Sequence, residues 1–347
     1  MSDLTIRTDG LAGRITLNRA QALNALTWEM CLEIETALTM WQGDPTVKLV
    51  IIDGAGERAF CSGGDITQMY ASGQRGDLDY GRRFWRDEYR LNRKIFLYPK
   101  PIVTFLHGFT MGGGVGVGCH ASHRIVCDTS RIAMPECSIG LVPDVGGSLM
   151  LALAPGRLGE FLGVTGDRMD AADAIHAGFA DSFIAQDGWD ALKTQLAETG
   201  DPEVIAPYVT PAPESRLALW QAEIDANFAG DTLGDIYRAW PADPGPAVTH
   251  AQTLMARNAP FAMTCAVEII HRVRNGMRIE NALDQEFRYT FRCVEQGDFI
   301  EGIRAAIIDR DRTPRWQHGS WQDVRTLDVT RMLMPLGKDA LQWEDAA

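Results

Sequence analysis

The chain has 347 residues, 46% hydrophobic and 23% charged, with a formal net charge of −13. That length suits one large domain plus a smaller one, and the composition is that of an ordinary globular protein. The acidity argues against nucleic acid or an anionic membrane as partner, and no run of about eighteen apolar residues is present to span a bilayer.

The segment LTIRTDGLAGRITLN reads as two short alternating strands about an Asp9–Gly10 turn. ALTWEMCLEIETALTMW predicts an amphipathic helix with Met30, Ile34, Ala37, Leu38 and Trp41 on one face and Thr27 as its N-cap. LVIIDGAG (Leu49–Gly56) is a continuous apolar strand ending in a turn, followed by a glycine loop, AFCSGGDI (Ala59–Ile66). The stretch GRRFWRDEYRLNRK reads as a charged helix. Glu88 lies on it, with Phe84, Trp85, Leu91 and Asn92 at helical spacing and no basic neighbour, so either a specific role or plain solvation accounts for it.

A second apolar strand, IVTFLHG (Ile102–Gly108), runs into the three glycines Gly112–Gly114. The small residues that follow, VGVGCHA, can continue as a tightly packed helix. N–H groups at its start would point at a ligand oxygen, aided by the helix dipole. The spacing is not GxGxxG, and no lysine follows as in a P-loop, so the nucleotide-phosphate motifs match weakly; a glycine-rich turn that packs a helix closely on a strand is the other reading. Two glycine loops after buried strands offer one N–H apiece to a developing oxyanion. Isolated carboxylates then occur in MPE (Glu136) and VPDVGG (Asp144). Backbone donors beside an acid/base pair are equipment for chemistry at a carbonyl.

Other reactive side chains take plainer interpretations. His107, at a strand end before a glycine, reads as a structural histidine. His120 and His123 lack the acidic or cysteine partner of a metal set, so no metal is expected. Cys61, Cys119, Cys127 and Cys137 read as small apolar packing; Cys61 as nucleophile has no assignable histidine. Seven cysteines without regular spacing, and an N-terminus, MSDLTIRTDG, unlike a signal or Arg-rich transit segment, predict a reducing, cytoplasmic setting.

Strand and helix signals alternate to about residue 190, an α/β pattern. Near Asp201 the composition shifts to a proline-rich connector, DPEVIAPYVTPAPE. Helical stripes follow: Met263, Val267 and Ile270, then Ile279, Leu283, Phe287 and Phe291. The expected organisation is a core over residues 1–200, a helical region over 201–316 and a loosely held tail over 317–347.

Taken together, AFCSGGDI, HGFTMGGGVG, MPE and the D-x-GG run, with LNRAQALNAL (Leu17–Leu26), resemble the enoyl-CoA hydratase/isomerase (crotonase) superfamily. The stretches TMGGGVG, AMPECSIGLVPDVGG, DEYRLN and DFIEGIRAAIIDRDRTPRW are most similar to its 3-hydroxyisobutyryl-CoA hydrolase branch. The resemblance spans roughly residues 3–316. It implies an α/β spiral of stacked ββα units with a C-terminal helical region over the core. It also implies an oxyanion hole at Gly64 and Gly113, with Gly63, Asp65, Gly112 and Glu88 contacting substrate.

Hydratases carry a glutamate two residues after the triple glycine, where this chain has Gly116. Their second glutamate matches Glu136, and they usually have glycine where Asp144 stands. The resemblance therefore implies a thioester hydrolase of valine breakdown with Glu136 and Asp144 as its catalytic pair. CoA enters as part of the substrate, no separate cofactor is expected, and a homo-oligomer is left open. An isomerase or hydratase of the same fold, using Glu136 or Asp144 as proton shuttle, and a non-catalytic acyl-CoA binder are the alternatives.

Overall fold

Strands β1 (Leu4–Asp9) and β2 (Ala12–Leu17) form the expected antiparallel hairpin. Only Leu4 of β1 is buried, so the edge strand does not alternate as its sequence suggests. The computed structural model describes residues 2–343. Residues 344–347 of the expected tail lie outside the described residues.

The helix Trp28–Gly43 starts at Thr27, whose side chain accepts the Met30 N–H, and buries Met30, Ile34, Ala37, Leu38 and Trp41 as the periodicity requires. Strands β3 (Leu49–Gly54), β4 (Ala59–Cys61), β5 (Ile102–Leu106), β6 (Phe109–Met111), β7 (His123–Val126), β8 (Arg131–Ala133) and β9 (Ser182–Phe183) follow. One sheet runs β1-β2-β3-β5-β7-β9 and a second runs β4-β6-β8. Every pairing after the first hairpin is parallel. Each pass of the chain thus adds one strand to each sheet and then turns into helix. This is the spiral of stacked ββα units that the resemblance implies.

Parallel strands covered on both faces read as unbroken apolar runs, which is why LVIID and IVTFL are buried at every position. Alternate residues of one sheet face, Leu49, Ile51, Val103, Phe105 and Ile125, pack on Trp189, Leu192 and Leu196. The last three come from the helix Trp189–Thr199. Burial of each such side chain contributes about 1.5–3 kcal/mol. Lys193 of the same helix reaches the buried Asp53 carboxylate at 2.7 Å, and Thr16 donates to Asp53 at 2.6 Å.

The chain divides into two compact bodies. The first comprises Met1–Gly64, Arg90–Ala133 and Arg168–Ala218 and holds both sheets; the second comprises Asp65–Tyr89, Met134–Asp167 and Leu219–Ala347. No strand is assigned to the second body among the described residues. Its helix Pro260–Arg274 buries Met263, Val267 and Ile270. The helix Ile279–Gln296 buries Ile279, Leu283 and Phe287. Further on, the helix Thr326–Met332 buries Val329 and Met332, and the Trp343 indole donates to Asp284 at 3.1 Å. No helix of the described chain is long and apolar enough to cross a membrane.

The spiral brings backbone against backbone at the glycine loops. A Cβ on Gly114 would lie 2.4 Å from the Cys61 carbonyl oxygen, a contact no rotamer change relieves. Gly114→Ala is therefore expected to destabilise the protein by roughly 1–3 kcal/mol through overpacking. Gly43→Ala, whose Cβ would meet nothing within 4 Å, should be neutral or slightly stabilising. Urea unfolding of the two variants checks this, and equal midpoints for both would contradict the close approach.

Candidate functional site

In the first body, the loop after β4 is fastened from both sides. Ser62 N–H donates to Leu23 O at 3.0 Å and Leu26 N–H to Gly63 O at 2.8 Å. Asn24, fully buried, donates its amide to Ala55 O and Ala59 O at 2.9 and 2.8 Å. The LNRAQALNAL segment is thus the strap that holds the first glycine loop. Gly63 has φ +114°, a conformation L side chains rarely adopt, and its missing Cβ would sit 3.3 Å from Met111 O and 3.9 Å from Gly113 N.

The two glycine loops therefore meet at Gly63, which lies against Met111 and Gly113. Gly112 caps the short helix Gly113–Gly118, whose six residues are all buried. Gly116 lies inside that helix and offers no side chain. Cys61 is buried, with its thiol directed at Gly63 O at 3.7 Å.

In the second body, the structure gathers three of the expected acidic residues and adds a fourth. Glu136 opens the 3-10 turn Glu136–Ile139, Asp144 lies on the following loop, and Glu88 comes from the helix Leu78–Phe96. All are buried: Glu88 is 2% exposed, Glu136 and Asp144 4% each, and Glu286 of the helix Ile279–Gln296 0%. The alternative of a solvated Glu88 on a charged helix face is thereby corrected; the apolar neighbours Phe84, Trp85 and Leu91, all buried, carry it inward. Asp65, by contrast, is half-buried on the loop before the helix Thr67–Gln74, where it accepts the Thr67 N–H at 3.4 Å.

The electrostatics follow from burial without cations. Desolvation, and then the Asp144 charge, push Glu88 and Glu136 well above the usual carboxylate range. Burial raises Asp144 to about 7 although the Tyr89 hydroxyl donates to its Oδ2 at 2.8 Å. Burial likewise raises Glu286 to about 8 against the hydrogen bonds from Ser148 and Gly146. Glu136 Oε2 and Glu88 Oε1 have no hydrogen-bond partner in the protein. Buried polar atoms of this kind await a ligand or water.

Tyr89 and Glu286, which sit among these acids, escaped the sequence reasoning. Glu286 falls three residues after Leu283 and seven after Ile279, so an acid inside an apolar stripe was the available signal. Asn92, one turn beyond Glu88, is fully buried with both amide atoms unpaired.

Residues 12–333 match the family model described as enoyl-CoA hydratase/isomerase. A Xenopus laevis protein named "3-hydroxyisobutyryl-CoA hydrolase, mitochondrial" is 36% identical, over 96% of this chain and 89% of its own. The Gallus gallus protein of the same name is 32% identical over 98% of this chain and 91% of its own. A solved Rhodobacter sphaeroides structure, described as an enoyl-CoA hydratase, is 51% identical with a TM-score of 0.94, covering 99% of this chain and 100% of its own. A Mycobacterium thermoresistibile structure described as a carnitinyl-CoA dehydratase is 38% identical with a TM-score of 0.94, covering 100% of both chains.

The raised acids make stability depend on pH. Unfolding returns each to its ordinary low value, so the folded state holds protons that the unfolded state has released. Their contribution is complete below the ordinary carboxylate range and is lost as pH rises through about 7 for Asp144 and about 8 for Glu286. Between about pH 6 and about pH 9 the melting temperature should fall, and Asp144→Asn should fall less steeply. Differential scanning calorimetry reads this directly; a wild-type Tm that climbs across the range would contradict it.

Proposed function

Because the chain belongs to the enoyl-CoA hydratase/isomerase family, we propose that it hydrolyses a short-chain 3-hydroxyacyl-CoA thioester, 3-hydroxyisobutyryl-CoA foremost. The observation that carries the proposal is the pattern of acids. Glu136 and Asp144 are buried carboxylates of one body, while position 116 has no side chain at all. Addition of water to a double bond uses one carboxylate to activate the water and another to handle the α-proton. Without an acid at 116, the first of these is missing. Thioester hydrolysis needs no such pair across a double bond, because a thiolate leaves readily once the carbonyl has been attacked.

In this mechanism the N–H groups of Gly64 and Gly113 take the developing oxyanion. Gly63, Gly112 and Asp65 shape the first contacts with the thioester. Glu136 delivers the nucleophilic oxygen, as base on water or as the attacking carboxylate itself. With Glu136 as nucleophile, its C–O bond to the acyl carbon replaces the C–S bond, and water then cleaves the anhydride, restoring the carboxylate and supplying the thiolate's proton. With Glu136 as base, it takes a proton from water as the new C–O bond forms, the C–S bond breaks, and that proton goes to the departing thiolate. The unpartnered Glu136 Oε2 suits it to receive that proton, and its raised pKa makes it a stronger base than an exposed glutamate. Asp144, oriented by Tyr89, aligns the water or the substrate hydroxyl. Glu88, with its unpaired Oε1, is the other candidate for hydroxyl recognition.

The reaction belongs, on the resemblance alone, to valine breakdown. Seven buried cysteines suit the reducing cytoplasm. Hydration is the second reading, favoured by the description of the 51%-identical Rhodobacter sphaeroides structure.

A thiol-release assay on a panel of acyl-CoAs separates them. Free CoA is expected from 3-hydroxyisobutyryl-CoA, more slowly from isobutyryl-CoA, with no appreciable hydration of crotonyl-CoA. The hydroxyl matters because a site built to bond it leaves buried polar groups unpaired when it is absent. Rapid crotonyl-CoA hydration without CoA release would replace the hydrolase by a hydratase. Glu136→Gln keeps the shape of the side chain but cannot accept the proton; kcat for CoA release should fall roughly 10²–10⁴-fold with KM largely kept. Activity within a few-fold of wild type in that variant would remove Glu136 from the chemistry.

A further inference from the structure

We propose that Glu286 is the positioning residue for Asp144, holding from the helix Ile279–Gln296 the turn on which that carboxylate sits. The proposal rests on the hydrolase reading for the identity of Asp144 as a reacting group.

The turn is an unfavourable one. Val145, directly after Asp144, is buried and has φ +54°. A β-branched residue in the left-handed region persists only when its surroundings enforce it. Glu286 supplies that enforcement. Its Oε2 accepts Gly146 N–H at 2.8 Å and its Oε1 accepts Ser148 N–H at 3.0 Å and the Ser148 hydroxyl. The Gly147 N–H closes the turn on Asp144 O at 2.7 Å. Three donors on two oxygens leave little freedom to the residues between them.

The same helix holds the segment elsewhere. Tyr289 donates to Gly140 O at 2.9 Å, between Glu136 and Asp144. Thr290 Oγ1 lies 3.5 Å from the Tyr89 hydroxyl, whose hydrogen bond orients Asp144 Oδ2. No lysine, arginine or histidine pairs with Glu286 among the described residues. A carboxylate retained here without a counter-charge calls for a reason beyond packing, since an apolar residue would fill the space without the desolvation cost. The titratable groups that interact with it are Asp144 and Glu136 on the gripped segment and Tyr89 on the helix Leu78–Phe96. Its charge also pushes the Glu136 carboxyl upward, behind desolvation and the Asp144 charge.

Glu286→Gln in the full chain is the test. The amide keeps the volume but replaces one acceptor by an NH2 group that cannot receive a backbone N–H. With 3-hydroxyisobutyryl-CoA, kcat should fall roughly 10- to 100-fold and KM stay within about threefold. Above about pH 8, where Glu286 is ionised, the kcat–pH profile of the variant should depart from that of the wild type, because one buried negative neighbour has gone. A crystal structure of the variant should show Val145 out of positive φ and Asp144 off the Tyr89 hydroxyl. Wild-type kcat, or a loss matched by the loss of folded protein with the pH profile unmoved, overturns the proposal.

Should Glu286→Gln not fold, Ser148→Ala, which removes only the hydroxyl, decides. A kcat reduced about threefold or more at constant KM supports positioning, and an unchanged kcat overturns it. If the wild-type protein releases CoA from no thioester, it is the hydrolase reading that fails. Positioning is then judged on the variant's crystal structure, where an undisturbed Asp144 turn overturns it and a displaced one supports it.

Discussion

Burial of carboxylates without counter-charge is the constraint on which the second body is organised. The chain contains an internal control. Glu160 is as deeply buried as any site acid, yet His271, Arg274 and Arg157 reach its oxygens at 2.9, 2.5 and 2.9 Å. Burial pushes Glu160 up, but its partners hold it down to about 2, and it serves to lock helices together. Glu88, Glu136, Asp144 and Glu286 have hydroxyl and N–H donors or no partner. Ionising such a group costs several kcal/mol unless it takes up a proton. Groups that exchange protons near neutrality are what acid–base chemistry requires.

The first body meets a different demand by removing side chains. A backbone N–H can serve a ligand oxygen only where nothing shields it, and glycine is the residue that leaves it bare. Gly63 and Gly114 show the cost of that solution. Each sits so close to the other loop that a Cβ would press on backbone. Asn24 and the Leu23–Leu26 strap then restrain a segment that its own composition leaves flexible. In the proposed mechanism such rigid donors need no reorganisation as charge develops.

Similar proteins carry both hydrolase and hydratase descriptions, so family and fold alone do not choose the reaction. The choice turns on which side chains approach the acyl group. Position 116 is a buried glycine within a helix, whereas Asp144 sits on a turn followed by a residue of positive φ.

By itself the sequence determined the elements whose signals are local: the Thr27 cap, the apolar runs of β3 and β5, the stripes of the C-terminal helices, and the glycine loops. Its motif set also determined the family, and with it the α/β spiral, since no internal repeat betrays the stacked turns. Tertiary structure decided the rest. It divided the chain into two bodies of three segments each, a division no change of composition marks. It drew Glu88 inward from a stretch rich in arginine, because burial depends on what a helix face packs against and not on the charge of its neighbours in sequence. It also set Glu286, about 140 residues from Asp144 in the chain, within hydrogen-bonding distance of the adjacent turn, an association that periodicity cannot express because it exists only once the two segments have met.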